Sequence, residues 1–181
     1  MERSLVMVAL FAALIAALGL IPPVTLGFGV PITAQSMGIM LAGCVLGARR
    51  GGLAALLFIA LVALGLPLLS GGRGGLGVFA SPTVGFVVGF PIAAFVTGLV
   101  MERLRGVAIF PAALLSALLG GVLALYVPGV LGLAFVLGKS VPEATLLVAA
   151  FIPGDIAKAV IASALTVMLA QARPESLLSR G

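Results

Sequence analysis

Six apolar runs, each close to the length needed to cross a lipid bilayer, leave this chain little freedom in what it can fold into. They cover about 5–21, 30–48, 51–69, 82–101, 107–127 and 145–170. A span takes roughly 20 apolar residues to cross about 30 Å of hydrocarbon, so a chain of 181 residues holds six with short connections. Composition agrees: 62% of residues are hydrophobic, 8% are charged, and the mean hydropathy is +1.38. The expected fold is an all-α integral membrane protein, one transmembrane domain over 1–181 built as a bundle of six transmembrane helices. Between the runs, Pro22 and Pro23, Arg49 to Gly52, Ser70 to Gly75, Glu102 to Gly106 and Pro128 to Pro142 carry the glycines, prolines and charges that mark turns. The start of the chain, Met1, Glu2 and Arg3 before an Ala/Leu run, mimics a secretory signal. Its apolar run is longer than a usual signal core, which makes it a first transmembrane helix.

Charge gives the orientation. Arg3, Arg49, Arg50, Arg103, Arg105, Arg173 and Arg180 fall on one side of the expected bundle, and Arg73 and Lys139 on the other. Basic residues favour the cytoplasmic face, which makes both termini cytoplasmic. Three connections, over 22–29, 70–81 and 128–143, then face outward. The net charge of +5 is distributed in brief clusters at the ends of apolar runs, so membrane lipid and not nucleic acid is the expected partner. Histidine is absent and Cys44 is the single cysteine, which excludes a disulfide framework and a Cys/His metal site within one chain. No metal or cofactor is expected.

The informative residues are the ionisable ones inside an apolar run, because a charge at the bilayer centre costs roughly 3 kcal/mol on insertion scales. Asp155 and Lys158 are such residues. Three apart on a helix, they share a face and can neutralise each other. Pro153 and Gly154 just before them fit a helix start, with the acid in the first turn. The pair would then line an outward pocket. The alternative is a buried ion pair that only fixes helix packing.

Other polar groups gather on the same side. Gln35 and Thr33 stand near the outer start of the second run, and Tyr126 near the outer end of the fifth. Tyr126 can serve a ligand or act as an interfacial anchor. Gly71, Gly72, Gly74, Gly75 and Gly77 form a flexible stretch. The spacing of Gly72, Gly74 and Gly77 matches a dinucleotide fingerprint, but a transmembrane run precedes it and the next acid, Glu102, is too distant for a ribose contact. A glycine-rich backbone can instead fold closely over a solute as a lid, or simply be a loose loop. Pro82, Thr83, Gly85 and Phe86 lead from it into a helix whose N-terminus can receive a polar ligand group. Small residues recur every four positions at Gly85, Gly89, Ala93 and Thr97, and at Ala9, Ala13 and Ala17. These are close-packing faces. The first is expected to pack within the chain, whereas the second could also meet a partner subunit.

Taken together, Gly71-Gly72-x-Gly74-Gly75, Pro82-Thr83-x-Gly85-Phe86, Pro153-Gly154-Asp155-x-x-Lys158 and the stretch from Pro31 to Ala42 resemble the BioY family, and the resemblance covers essentially the whole chain. That family comprises the biotin-specific substrate-binding components of energy-coupling-factor (ECF) transporters. The resemblance implies a multi-pass subunit of a prokaryotic cytoplasmic membrane that takes biotin from outside. It also implies a transmembrane coupling protein and ATP-binding subunits as partners, with ATP used on those subunits. In keeping with this, the chain has no Walker motif. A ureido ring offers two N–H donors and a carbonyl acceptor, so Asp155 is expected to accept from it and Lys158 to donate to a ligand oxygen, with Gln35 adding hydrogen bonds. Phe86, Tyr126 and Phe79 would carry apolar parts of the ligand, Thr83 lies at the receiving helix start, and Arg73 is the candidate for the carboxylate. Gly71, Gly72, Gly74 and Gly75 would form the lid, and Ala9, Ala13 and Ala17 the docking face. Phe86 departs from the tyrosine of many relatives, so a hydroxyl is missing there.

Three rival readings make different demands. A substrate component for another vitamin would share the fold but not the Pro-Gly-Asp-x-x-Lys run. A membrane enzyme could use Asp155 and Lys158 as an acid–base pair. No histidine is present to assist, and the other carboxylates, Glu2, Glu102, Glu143 and Glu175, lie in connections or tails. A passive channel would bind nothing saturably.

Overall fold

A computed structural model of the chain describes residues 2–25, 27 and 30–181. The architecture is helical. Seven helices follow one another among the described residues: α1 (Glu2–Leu18), α2 (Gln35–Leu46), α3 (Ala48–Ala63), α4 (Val84–Arg103), α5 (Ile109–Leu137), α6 (Val141–Ala149) and α7 (Ile152–Ala172). By length and composition α4, α5 and α7 can each cross a membrane, while α2 is a shorter apolar helix. Two short strands, β1 (Val24–Thr25) and β2 (Pro31–Ile32), pair antiparallel ahead of α2. They occupy the first part of the second apolar run, where Pro31 disfavours a helix that the start of α2 at Gln35 then supplies. The outward connection expected over 22–29 lies partly outside the described residues.

α4 is the central element, packed against α2, α3 and α5. Its small residues let backbones approach closely. A Cβ added to Gly85 would strike the Pro128 carbonyl of α5, one on Gly98 would strike Gly47 and Ala48, and one on Gly43 would meet Thr97. The Gly85, Gly89, Ala93 and Thr97 stripe therefore packs inside the chain. On α1 the order is reversed. Phe11, Ala12 and Ile15 are buried, whereas Ala9, Ala13 and Ala17 are exposed beside the exposed Leu10 and Leu14.

α5 differs from the sequence expectation of a turn at Pro128: it continues to Leu137 and ends at Gly138, whose φ of +62 suits glycine. The reason lies one turn earlier. Residues Ala117–Ala124 are π-helical, a wider turn that departs from the i to i−4 bonding a proline would break. A straight α-helix continuing the buried face of Ala113, Ala117 and Gly120 would next bury Ala124, Val127 and Leu131. Instead Val127 and Leu131 are exposed, and Leu125, Gly129 and Leu133 are buried. The π-helical turn thus shifts the register by one residue. That shift carries Leu125 and Tyr126 toward α7.

Candidate functional site

At the end of the bundle formed by the starts of α2, α4 and α7, a cavity of about 60 Å³ is lined by residues of β2, α2, the 69–73 loop, α4, α5 and α7. Pro153 sits in the first turn of α7, where its missing N–H costs nothing, and Asp155 follows in that same turn, favoured by the positive end of the helix. α7 starts at Ile152, after a separate helix α6 that the apolar run over 145–170 merges with the last span.

Asp155 is 5% exposed and holds two partners: Lys158 Nζ donates to Oδ1 at 2.8 Å, and the Tyr126 hydroxyl donates to Oδ2 at 2.7 Å. Lys158 Nζ also donates to Ser36 Oγ on α2 at 3.0 Å. The buried charge is thus neutralised and hydrogen-bonded, as a low-dielectric site requires. Each carboxylate oxygen retains acceptor capacity, and the ammonium has a third proton to give. Asp155, Lys158 and Ser36 all line the cavity.

Gln35 lines the cavity as well, but its amide is engaged elsewhere. Nε2 donates to the Ile15 and Leu68 carbonyls at 3.1 and 3.0 Å, and Oε1 accepts from Ser70 N at 3.0 Å. Both N–H donors are thereby used, so Gln35 ties the end of α1 and the glycine-rich loop to the start of α2. That loop is a small hairpin in which Leu69 and Arg73 exchange backbone bonds of 3.0 and 3.2 Å. Gly71 and Gly72 make the reversal at φ of +80 and +70, a region side chains disfavour. Gly71, Gly72, Gly74 and Gly75 do not line the cavity themselves; they deliver Arg73, which does. Arg73 donates from Nε to Ser70 O and from Nη1 to Thr83 Oγ1, each at 3.3 Å, and the Ser81 and Thr83 hydroxyls share a bond of 2.8 Å. Partial burial holds the Arg73 guanidinium below its usual pKa, yet arginine stays charged at any physiological pH.

Of the sequence-chosen residues, Asp155, Lys158, Gln35, Arg73, Thr83 and Phe86 line the cavity, and so does Thr33. Tyr126 stands behind Asp155 and Phe79 lies outside the lining. Ser36, Phe90 and Phe151 line it without being singled out by the sequence. Ser36 has a legible signal, one residue after Gln35 at the start of the same helix. Phe151 has none, since its position depends on the turn between α6 and α7. Phe86 meets Tyr126 and Phe151 edge-on, with ring centroids 6.5 and 5.9 Å apart, and these rings form one wall.

Residues 2–175 match the family model described as the BioY family. The chain belongs to the BioY family. Among BioY relatives, it is 53% identical to the biotin transporter BioY of Rhodobacter capsulatus over 190 residues, covering 100% of both chains. It is 55% identical to the biotin transporter BioY of Rhizobium etli over 169 residues, 90% of each chain. A crystal structure of the S-component for biotin from an ECF-type ABC transporter superposes with a TM-score of 0.88 at 32% identity, covering 94% of this chain and 92% of that one.

Proposed function

We propose that this BioY-family chain captures biotin and serves its uptake as the substrate-binding S component of an ECF-type transporter; it is a transport component and not an enzyme. The observation that carries the reading is the Asp155–Lys158 pair, a buried carboxylate and a half-buried ammonium facing a cavity with hydrogen-bonding capacity to spare. A ureido ring, two donors flanking one acceptor, is the complement of a carboxylate beside an ammonium. Ser36 and Thr83 add hydroxyls, and Arg73, on the cavity lining beside Thr83, provides the cation for the ligand carboxylate. Phe86, Phe90 and Phe151 provide the apolar surface that most small-ligand sites have.

In the same reading the chain lies in a prokaryotic cytoplasmic membrane as six crossings, both termini inside. The support is the clustering of basic residues at the end opposite the cavity: Arg3 donates to Glu175 O, Arg50 to Ser4 Oγ, and Arg180 to the carbonyls of Arg105 and Val107. The exposed Ala9, Ala13 and Ala17 of α1 offer a flat face to the transmembrane coupling protein. ATP would be hydrolysed on the ATP-binding subunits, and this chain needs no cofactor of its own.

Equilibrium binding to the detergent-purified protein tests the reading. Saturable binding of biotin, not displaced by an excess of other vitamins, is expected. Absence of binding by demonstrably folded protein would sink the biotin assignment.

A further inference from the structure

We propose that Gly129 is a specificity-determining position: by having no side chain it leaves the recess in which the Phe86 ring rests, and so sets the width of the ligand cavity. A Cβ built on Gly129 would lie 2.6, 2.7 and 2.9 Å from Phe86 Cε1, Cζ and Cδ1, well inside van der Waals contact. Gly129 does not line the cavity; Phe86 does. Of the other close glycines of the α4–α5 crossing, Gly85 faces the Pro128 backbone and Gly132 the Gly85 backbone, while Gly89 faces Pro128 first and then the tip of Leu125, a flexible aliphatic chain at the cavity wall. Gly129 instead supports a ring that faces the ligand site.

An added methyl group requires the ring to retreat by about an ångström to reach normal contact distance. Tyr126 and Phe151 flank it edge-on and Gly129 backs it, whereas the cavity it lines is open space into which the ring can move. The cavity measures about 60 Å³. Small-ligand sites usually enclose roughly 300–1,000 Å³, so this one must already widen to admit a bicyclic ligand, and a ring pressed inward opposes that widening directly. Gly129 is also a residue whose replacement leaves the helix intact. Its backbone is right-handed within α5, where alanine is the better helix former, so Gly129→Ala is expected to fold.

The inference rests on the biotin reading for its ligand and on the Gly129–Phe86 contact for its geometry, and two measurements separate them. In the first, biotin affinity is measured for wild type, Gly129→Ala, Phe86→Leu and the double variant. Overpacking of this kind is expected to weaken binding about tenfold or more when Phe86 is present, and less than about twofold when leucine replaces it. Equal loss in both backgrounds, or no loss in either, overturns the proposal. In the second, which needs no ligand, 4-fluorophenylalanine is placed at position 86 by stop-codon suppression and its fluorine resonance is followed. In the Gly129→Ala variant the resonance should shift and broaden more strongly with a water-soluble paramagnet, because the ring has moved into the cavity. An unchanged resonance overturns the proposal even if biotin is not the ligand.

Discussion

Polar side chains gather at both ends of the bundle, and they use their hydrogen bonds differently. At the basic end most are committed to backbone, the Arg50–Ser4 side-chain pair apart. Glu102 on α4 accepts from Ala48 N at the start of α3, Ser179 bonds the Cys44 and Val45 carbonyls at the end of α2, and Arg180 donates to the carbonyls of Leu104, Arg105 and Val107 after α4. Each closes a helix end that would otherwise carry orphan groups. At the cavity end, Asp155, Lys158 and Ser36 bond mainly to one another and keep lone pairs and protons facing open space. The same residue types therefore close helix ends at one end and leave free hydrogen-bonding capacity facing a cavity at the other.

The largest effect is expected at Asp155. Asp155→Asn leaves Lys158 with an uncompensated charge and removes the charged acceptor for the ligand, and truncating a charged hydrogen-bonding partner of a buried ligand group costs about 2–5 kcal/mol of binding, or roughly 30-fold to several-thousandfold in affinity. Because the site faces a cavity that water can enter, thermal unfolding should change far less. Titration with labelled biotin beside a melting curve decides it, and a collapse of the melting temperature to match the lost affinity would make the pair a packing device instead.

Arg180→Ala should give the mirror image. The partly buried Leu104 carbonyl loses its donor, while the exposed Arg105 and Val107 carbonyls can turn to water, so the cost is about 0.5–1.5 kcal/mol. The expected result is a lower melting temperature with biotin affinity unchanged within about twofold. A loss of affinity without a loss of stability would mean that the two ends are coupled through α4.

Tyr126 tests the boundary between the two behaviours. Its hydroxyl touches Asp155 and not the cavity, so Tyr126→Phe keeps the ring against Phe86 and removes one hydrogen bond to a charged group. A loss of about tenfold in affinity is expected, from the roughly 1.5 kcal/mol such a bond contributes. Little change would mean that Lys158 alone holds the carboxylate in place.

How much of this is legible in the sequence follows the range of the interactions. The apolar runs predict the helical class because hydropathy is local, and Asp155 and Lys158 stand out because a charge in an apolar run needs a reason. Gln35 is legible as a polar residue near the site but not as a tie, since its partners at positions 15, 68 and 70 are brought to it by three different segments. The continuation of α5 past Pro128 is hidden for another reason. It depends on a π-helical turn whose sequence, rich in Ala, Leu, Gly and Val, reads as ordinary helix. The aromatic wall is only half visible, because Phe86 follows a motif while Phe151 is placed by the turn that separates α6 from α7.

The smallest effect is expected at Ser140 and Glu143, which form a capping box at the start of α6 on the sequence side assigned to the outside. The Ser140 hydroxyl and backbone N–H donate to Glu143 Oε2 at 2.7 and 2.8 Å, and these bonds hold the fully exposed carboxyl below its ordinary pKa. A depressed folded-state value means that the unfolded chain takes up the proton first as the pH falls. The stabilisation is therefore present above the unfolded value of about 4.3 and is lost as the pH drops through the lower, folded one. Ser140→Ala should lower the melting temperature slightly at neutral pH, and the gap from wild type should close below about pH 4. Biotin affinity should stay the same throughout. If it does, a polar pair on the cavity side can serve stability alone, and what separates stability from binding in this chain is whether a side chain faces the cavity, not which end of the bundle it occupies; if affinity falls with the cap, α6 belongs to the ligand site.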